Sequence, residues 1–249
     1  MSDHPHAILS VSAMGRADSH AVSQGVSGSV LMQNAGEAAA RAILKNWSPR
    51  PAAVLCGPGN NGGDGWVIAQ CLSKAGWPVS IFSLADVSDL KGDAAWAAKG
   101  WNGPVRPLGA CQLDDYALIV DALFGAGLNR PLEGDAARLA QDSQSFGGVC
   151  VAVDTPSGLS GDMAALHGPV FRADLTVTFH RYKPAHLLSP GRALCGELIV
   201  SGIGIPDGWS EAAAPCATVN HPDLWRVPGA RLDRDAHKHS RGRLCVLAG

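Results

Sequence analysis

"VLCGPGNNGGDGWVIAQCL", residues 54–72, sets five glycines and two adjacent asparagines between two apolar runs. The first run belongs to "AAVLCG" (52–57), a short apolar segment that ends in glycine. The second opens "GWVIAQCLSKAG" (65–76), which has helical spacing and a terminal glycine. Strand, glycine-rich turn and helix together make the first part of a βαβ unit. The turn is no Walker loop, because no Gly-Lys-Ser/Thr follows. Gly57 and Gly59 fit G-x-G, but Asn60, Asn61 and Asp64 add side-chain chemistry that the dinucleotide fingerprint lacks. Gly62, Gly63 and Gly65 are expected to allow positive φ and close approach of a ligand. The helix that follows offers its N-terminal N–H groups to an anion. Asp64 is expected either to cap that helix or to face the ligand.

The same alternation continues outward. Downstream, "PVSIFSL" (78–84), "YALIVDALFG" (116–125), "GVCVAVDTPSG" (148–158), "ADLTVTF" (173–179) and "GELIVSGIGIP" (196–206) read as strands. "DAAWAAKGW" (93–101) and "DAARLAQDSQ" (135–144) read as helices between them. Upstream, "ILSVSAMGRADSHAVSQGV" (8–26) reads as a lead-in and a helix. "SGSVLMQNAGEAAARAILKNW" (27–47) is a stronger helix, with Ser29 as its expected cap and Gly36 among alanines on a close-packing face. Strands alternating with helices predict right-handed βαβ units and a mostly parallel sheet covered on both faces.

Composition narrows the function. A formal net charge of −2 over 249 residues gives no field that favours nucleic acid or an anionic membrane. No apolar run approaches the ~20 residues that span a bilayer. Seven cysteines show no zinc or redox spacing. "MSDHPHAILS" lacks the basic start and apolar core of a secretion signal, so a reducing cytoplasm is expected.

Three polar motifs fall at strand ends: "GPGNNGGDG", "DALFGAGL" and "DTPSG". In open α/β sheets ligands lie outside the carboxyl ends of the strands, so the three converge on one crevice. Asp121 closes an apolar strand and needs donors, a cation or a ligand hydroxyl, or else it caps the next turn. Asp154 holds the same place one strand later, and the Pro156–Gly158 turn projects Ser157. Thr155 stands where a G-x-S-x-G elbow would have glycine, which argues against a serine nucleophile. Asn61, Asp121 and Ser157 are all oxygen donors, a set that suits a hard alkali or alkaline-earth cation. "FHRYKPAHLLSPGR" (179–192) brings His180, Arg181, Lys183 and Arg192 beside the crevice, where basic groups suit an anionic ligand or form a solvated loop.

With these residues in place, the chain resembles the NAD(P)H-hydrate epimerases, the YjeF N-terminal-domain family. The likeness runs from about 10 to 206. It is carried by "LMQNAGEAAA", "GPGNNGGDG", "DALFGAGL", "VAVDTPSGL", "ADLTVTF", "YKPAHLLSPGR" and "GELIVSGIGIP", in the family's order. The resemblance implies a three-layer αβα Rossmann-like domain over 1–207. It implies interconversion of the R and S forms of hydrated NADH and NADPH (NADHX and NADPHX) at C6 of the nicotinamide ring. It places the substrate at Asn60, Asn61, Gly62, Gly63 and Asp64, at Gly125, Ala126, Gly127, Leu128, Asn129, Arg130 and Pro131, and at Asp154. It places a potassium ion on Asn61, Asp121 and Ser157. Residues 208–240 are expected to be a connector. "RGRLCVLAG" (241–249) resembles the first strand of an ADP-dependent dehydratase domain, which family members carry fused or as a separate partner. Either hydrated nucleotide, NADHX or NADPHX, and a homo-oligomer are compatible with the resemblance.

Inverting C6 requires its C–O bond to break and re-form, or the ring to open and close there. Either route needs a group that gives and later takes a proton. Asp154 is the first candidate, Lys183 the second and Asp64 a further one. Two rivals come from other classes: a catalytically silent binding or scaffolding module of the same fold, and a nucleotide-binding oxidoreductase. The oxidoreductase lacks an obvious ribose-binding acid after "PVSIFSL"; Asp86 is the one available.

Overall fold

The computed structural model of the chain describes residues 4–166 and 168–224. The chain divides into two units, Met1–Thr218 and Val219–Gly249. Among the described residues the second contains one 3-10 turn, Pro222–Leu224. The strand expected at 241–249 lies outside the described residues, as does the connector beyond 224.

The first unit opens with β1 (Ala7–Ile8), α1 (Val11–Ser23) and α2 (Gly28–Asn46). Then come β2 (Ala52–Cys56), α3 (Asn60–Lys74), β3 (Val79–Ser83), α4 (Gly92–Ala98), β4 (Val105–Pro107) and β5 (Leu118–Ala122). α5 (Gly134–Asp142), β6 (Val149–Val153), β7 (Leu175–Phe179), α6 (Gly191–Leu194), β8 (Glu197–Ser201), α7 (Trp209–Ala212) and β9 (Ala217–Thr218) complete it. Seven strands form one sheet in the order β4-β3-β2-β5-β6-β7-β8, every pair parallel. β1 and β9 pair antiparallel in a small second sheet. Residues 208–218, expected as connector, stay with this unit: Trp209 is buried against Ala13, Met14 and Ala17 of α1.

Side-chain alternation builds the layers. Ala52, Val54, Cys56, Leu118, Val120, Val151 and Val153 pack with α2, α3 and α4. Ala53, Leu55, Phe82, Ile119 and Cys150 point the other way, onto Leu139 and Ala140 of α5. Strands buried on both faces read as continuous apolar runs, and these do. Each fully buried Leu or Ile side chain contributes about 1.5–3 kcal/mol.

Two local expectations change. The cap of α2 is Ser27, whose hydroxyl accepts from the Val30 N–H at 3.3 Å; Ser29 lies inside the helix, 2.9 Å from the Ser27 hydroxyl. More consequential, α3 begins at Asn60, so most of the asparagine–glycine run is helix rather than loop. None of Gly62, Gly63 and Gly65 has positive φ. They are small because the first turns of α3 press on their surroundings. A Cβ on Gly62 would strike the Gly57 carbonyl oxygen, one on Gly63 the Met32 side chain, and one on Gly65 the side chains of Ala122 and Cys56. Gly36 does the same between α2 and α3, where a Cβ would meet Val67 and the Asp64 carbonyl oxygen. Asp64 caps nothing; it is buried in the second turn, and Gly59 holds the N-cap without a side-chain bond.

Candidate active site

The chain leaves β2 for β3 and β4 on one side, then returns to β5 on the other. The loops after β2 and β5 therefore diverge, which opens a crevice at the carboxyl end of the sheet. A pocket of about 900 Å³ lies there. Its walls include Pro58–Asn61 and Asp64, Leu123–Leu128 with Arg130, Asp154 and Lys183, and a face of α1. The uncapped N-terminus of α3 opens on it.

Asp154 is the most constrained group. It follows β6 with φ +63°, a left-handed conformation in which Asp is among the tolerated non-glycine residues. Its Oδ2 accepts from the Ala126 N–H at 2.9 Å, and its Oδ1 from Lys183 Nζ at 2.7 Å and Thr178 Oγ1 at 3.0 Å. Gly125 is the close neighbour: a Cβ there would lie 2.8 Å from Asp154 Oδ2 and 3.3 Å from Asn61 Oδ1. Burial pushes the Asp154 carboxyl up, but the Lys183 charge and the hydrogen bonds outweigh it and hold the group well below the usual carboxylate range.

Lys183 is 2% exposed. Its ammonium group also donates to Thr178 Oγ1 at 2.9 Å and the Phe179 carbonyl at 3.3 Å, so all three of its hydrogens have protein acceptors. His186 fixes the backbone around the pair. Its Nδ1 accepts from the Lys183 N–H at 3.0 Å, so the proton is on Nε2, 2.8 Å from the Asp154 carbonyl oxygen. Burial, then the Lys183 charge, pushes the His186 pKa down to about 4 and keeps the ring neutral.

Beneath the pocket floor Asp121 is fully buried. It accepts from the Ser157 N–H at 2.7 Å, the Ser157 hydroxyl at 2.6 Å and the Leu123 N–H at 3.3 Å. Burial raises it to about 6 against those bonds, and it has no cationic partner among the described residues. The Ser157 hydroxyl also lies 3.0 Å from the Phe124 carbonyl oxygen. One amide atom of Asn61 is buried without a partner; turned over, the amide presents its oxygen there. Asp121, Ser157 and Phe124 thus gather carboxylate, hydroxyl and carbonyl oxygens, donors of the kind a hard cation takes.

Other expected residues fall differently. Asn60, Asn61 and Asp64 line the pocket, whereas Gly62 and Gly63 are packed behind it. Gly125–Leu128 and Arg130 line it; Asn129 and Pro131 do not. Of His180, Arg181, Lys183 and Arg192, Lys183 alone reaches it. His180 is buried edge-on to Trp209, with burial and Arg181 pushing its pKa down to about 3. Arg181 stacks on the same ring at 4.8 Å, and Arg192 donates to the Gly196 carbonyl at 2.7 Å. Asp86 is exposed and lies outside the pocket wall, so no ribose acid comes from β3.

Sequence reasoning passed over Asp18, Thr178 and His186. Thr178 carried a signal, a hydroxyl within a wholly apolar-flanked strand. Asp18 carried a weaker one, a carboxylate on the helical face that also bears Val11, Met14 and Val22.

A family model described as "YjeF-related protein N-terminus" matches residues 28–185. A protein of Roseobacter litoralis named "NAD(P)H-hydrate epimerase" is 39% identical over 226 residues, covering 80% of this chain and 99% of its own length. The "Bifunctional NAD(P)H-hydrate repair enzyme Nnr" of Thermofilum pendens is 37% identical over 239 residues, 90% of this chain and 44% of its own. A second Nnr, from Coxiella burnetii, is matched over 48% of its length. The chain thus spans about half the length of these bifunctional relatives. The crystal structure of a yeast protein, ynu0 (YNL200c), superposes with a TM-score of 0.68 at 22% identity, over 83% of this chain and 93% of that one, and shows the same fold. The family model and the Roseobacter litoralis relative agree: the chain belongs to the family of the YjeF-related protein N-terminus.

Proposed function

We propose that this chain is an NAD(P)H-hydrate epimerase, which interconverts the R and S forms of NADHX and NADPHX in repair of damaged nicotinamide nucleotides. The observation that carries the reading is Asp154, held ionised by Lys183 in a left-handed turn against the pocket. Relatives bearing the epimerase name supply the substrate class.

The pocket volume suits a dinucleotide held with its reactive ring inside. The N-terminus of α3 and Arg130 offer positive charge to the diphosphate. At the ring, the nitrogen lone pair forms a cationic N1=C6 bond as the C6–O bond breaks, and the hydroxyl takes up a proton and leaves as water. Water then adds to the other face and releases a proton. The Asp154 carboxylate faces that cation and lowers its energy. Lys183 positions Asp154 rather than donating a proton, since its three hydrogens are already bonded.

Asn61, Asp121 and Ser157, with the Phe124 carbonyl, would hold potassium. The ion would neutralise Asp121 and brace the loops after β2, β5 and β6. An ADP-dependent dehydratase, fused beyond residue 240 or separate, would consume one epimer, in the cytoplasm where the cofactors are used. Among the described residues no helix is long and apolar enough to cross a membrane.

Potassium binding is tested by melting the protein in potassium chloride and in choline chloride. Potassium should raise the Tm of the parent chain and leave that of Asp121→Asn unmoved; equal melting of the parent in both salts removes the ion. Asp154→Ala should reduce epimer exchange to the spontaneous rate while the protein stays folded. An unchanged rate removes Asp154 from the mechanism.

A further inference from the structure

α1 presents two faces. Ala13, Ala17 and Ala21 are buried in the body of the protein. Val11, Met14, Gly15, Asp18, Ser19 and Val22 recur at helical spacing along the pocket wall. Asp18 is thus a single carboxyl in the middle of a largely apolar stripe. Asp is a poor residue for a helix interior, and this side chain makes no hydrogen bond or ion pair with any described residue. A half-buried carboxyl without a partner costs stability unless a ligand supplies one. Asp64, more than nine-tenths buried, reaches the same pocket from α3 and likewise has no side-chain partner.

Lys183 and Asp154 leave the reaction without a proton donor, and inversion poses a second requirement. Oxygen leaves one face of C6 and returns to the other, so one carboxyl serves one face only. We propose that Asp18 is a catalytic residue of this site: its carboxyl contacts the C6 hydroxyl of the bound ring and exchanges a proton with it on one face, while Asp64 serves the other. The inference rests on the epimerase reading above. In one direction the C6–O bond breaks with its electron pair going to oxygen, which takes the Asp18 proton and leaves as water. The ring nitrogen's lone pair forms N1=C6. Water then adds to the other face and gives its proton to the Asp64 carboxylate. The reverse reaction runs from Asp64 to Asp18, and solvent in the open pocket resets the protons.

The electrostatics agree. Burial, against the Lys183 charge and with the Asp154 charge, pushes Asp18 up to about 6; burial, Asp154 and Asp18 push Asp64 well above the ordinary range. The charged groups that share this pocket are Asp64 from α3, Asp154 after β6 and Lys183 after β7, with Asp93 and Arg130 at its edge. Both acids can therefore hold a proton near neutral pH, where Asp154 cannot.

The test uses the whole chain in potassium buffer, with two readouts. Epimer exchange is followed for the parent protein, Asp18→Asn, Asp18→Glu and Asp64→Asn across pH 5–9. Asp18→Asn should lose about 100-fold or more and lose the pH limb near 6, with partial rescue by Asp18→Glu. Separately, the Asp18 carboxyl carbon, assigned in 13C-Asp-labelled protein by its absence in Asp18→Asn, is followed by NMR as NADH is added. NADH should shift it and alter its titration. If the parent exchanges epimers and Asp18→Asn matches it in rate and pH profile, the proposal is overturned and the epimerase reading stands. If the parent shows no exchange, the epimerase reading falls and the proton step with it. A resonance that NADH leaves unmoved overturns the contact in either case.

Discussion

At the residue scale, Asp154–Lys183 is the buried ion pair among the described residues. Lys183→Met leaves a buried carboxylate without its cation and should destabilise the protein by about 3–5 kcal/mol. Adding Asp154→Asn to it should recover a large part, because the uncompensated charge goes; urea unfolding of the four proteins of that cycle measures the coupling. His186 gives a pH signature. Its folded pKa of about 4 lies below the ordinary histidine value, so its contribution is present above about pH 6.5 and is lost as pH falls through 4. Thermal melts should therefore show the parent losing stability between those values more steeply than His186→Gln. Much of this was legible: Asp154, Asp121 and Ser157 were visible as polar residues closing apolar strands. Lys183 was visible only as one basic residue among four. Which of the four turns inward depends on the left-handed turns at Asp154 and His180, which no spacing rule encodes.

At the element scale, the asparagine–glycine run is a helix start rather than a loop. Composition suggested a loop because glycine disfavours helix interiors by about 1 kcal/mol each. Packing overrides that: α3 lies so close to β2, β5 and α2 that side chains would not fit. Gly62→Ala should thus cost more than the about 1–3 kcal/mol typical of overpacking, since the obstacle is the Gly57 backbone oxygen. Gly15→Ala is the converse. Nothing lies within 4 Å of a Cβ there, and α1 should gain about 1 kcal/mol. Chemical denaturation of both variants separates the two roles of glycine. β4 escaped the sequence because its three residues are exposed, contain proline and have no apolar run.

At the scale of the whole molecule, the alternation of apolar strands and helices carried the fold class, and the strand-end position of the polar motifs pointed to the end of the sheet where the candidate pocket lies. Strand order did not follow from either. The reversal between β2 and β5 that opens the pocket is a consequence of which strand pairs beside which. Neither was the α1 wall visible, since its contribution depends on how a helix far from the motifs is laid across the crevice. That arrangement makes one prediction about the reaction itself. The purified chain is mixed with the R epimer of NADHX in potassium buffer, the S form is followed by chromatography, and spontaneous epimerisation is subtracted. The S form should appear far faster than the background and do so only while Asp154 is intact. Folded protein that leaves the R form exchanging at the spontaneous rate would contradict the assignment.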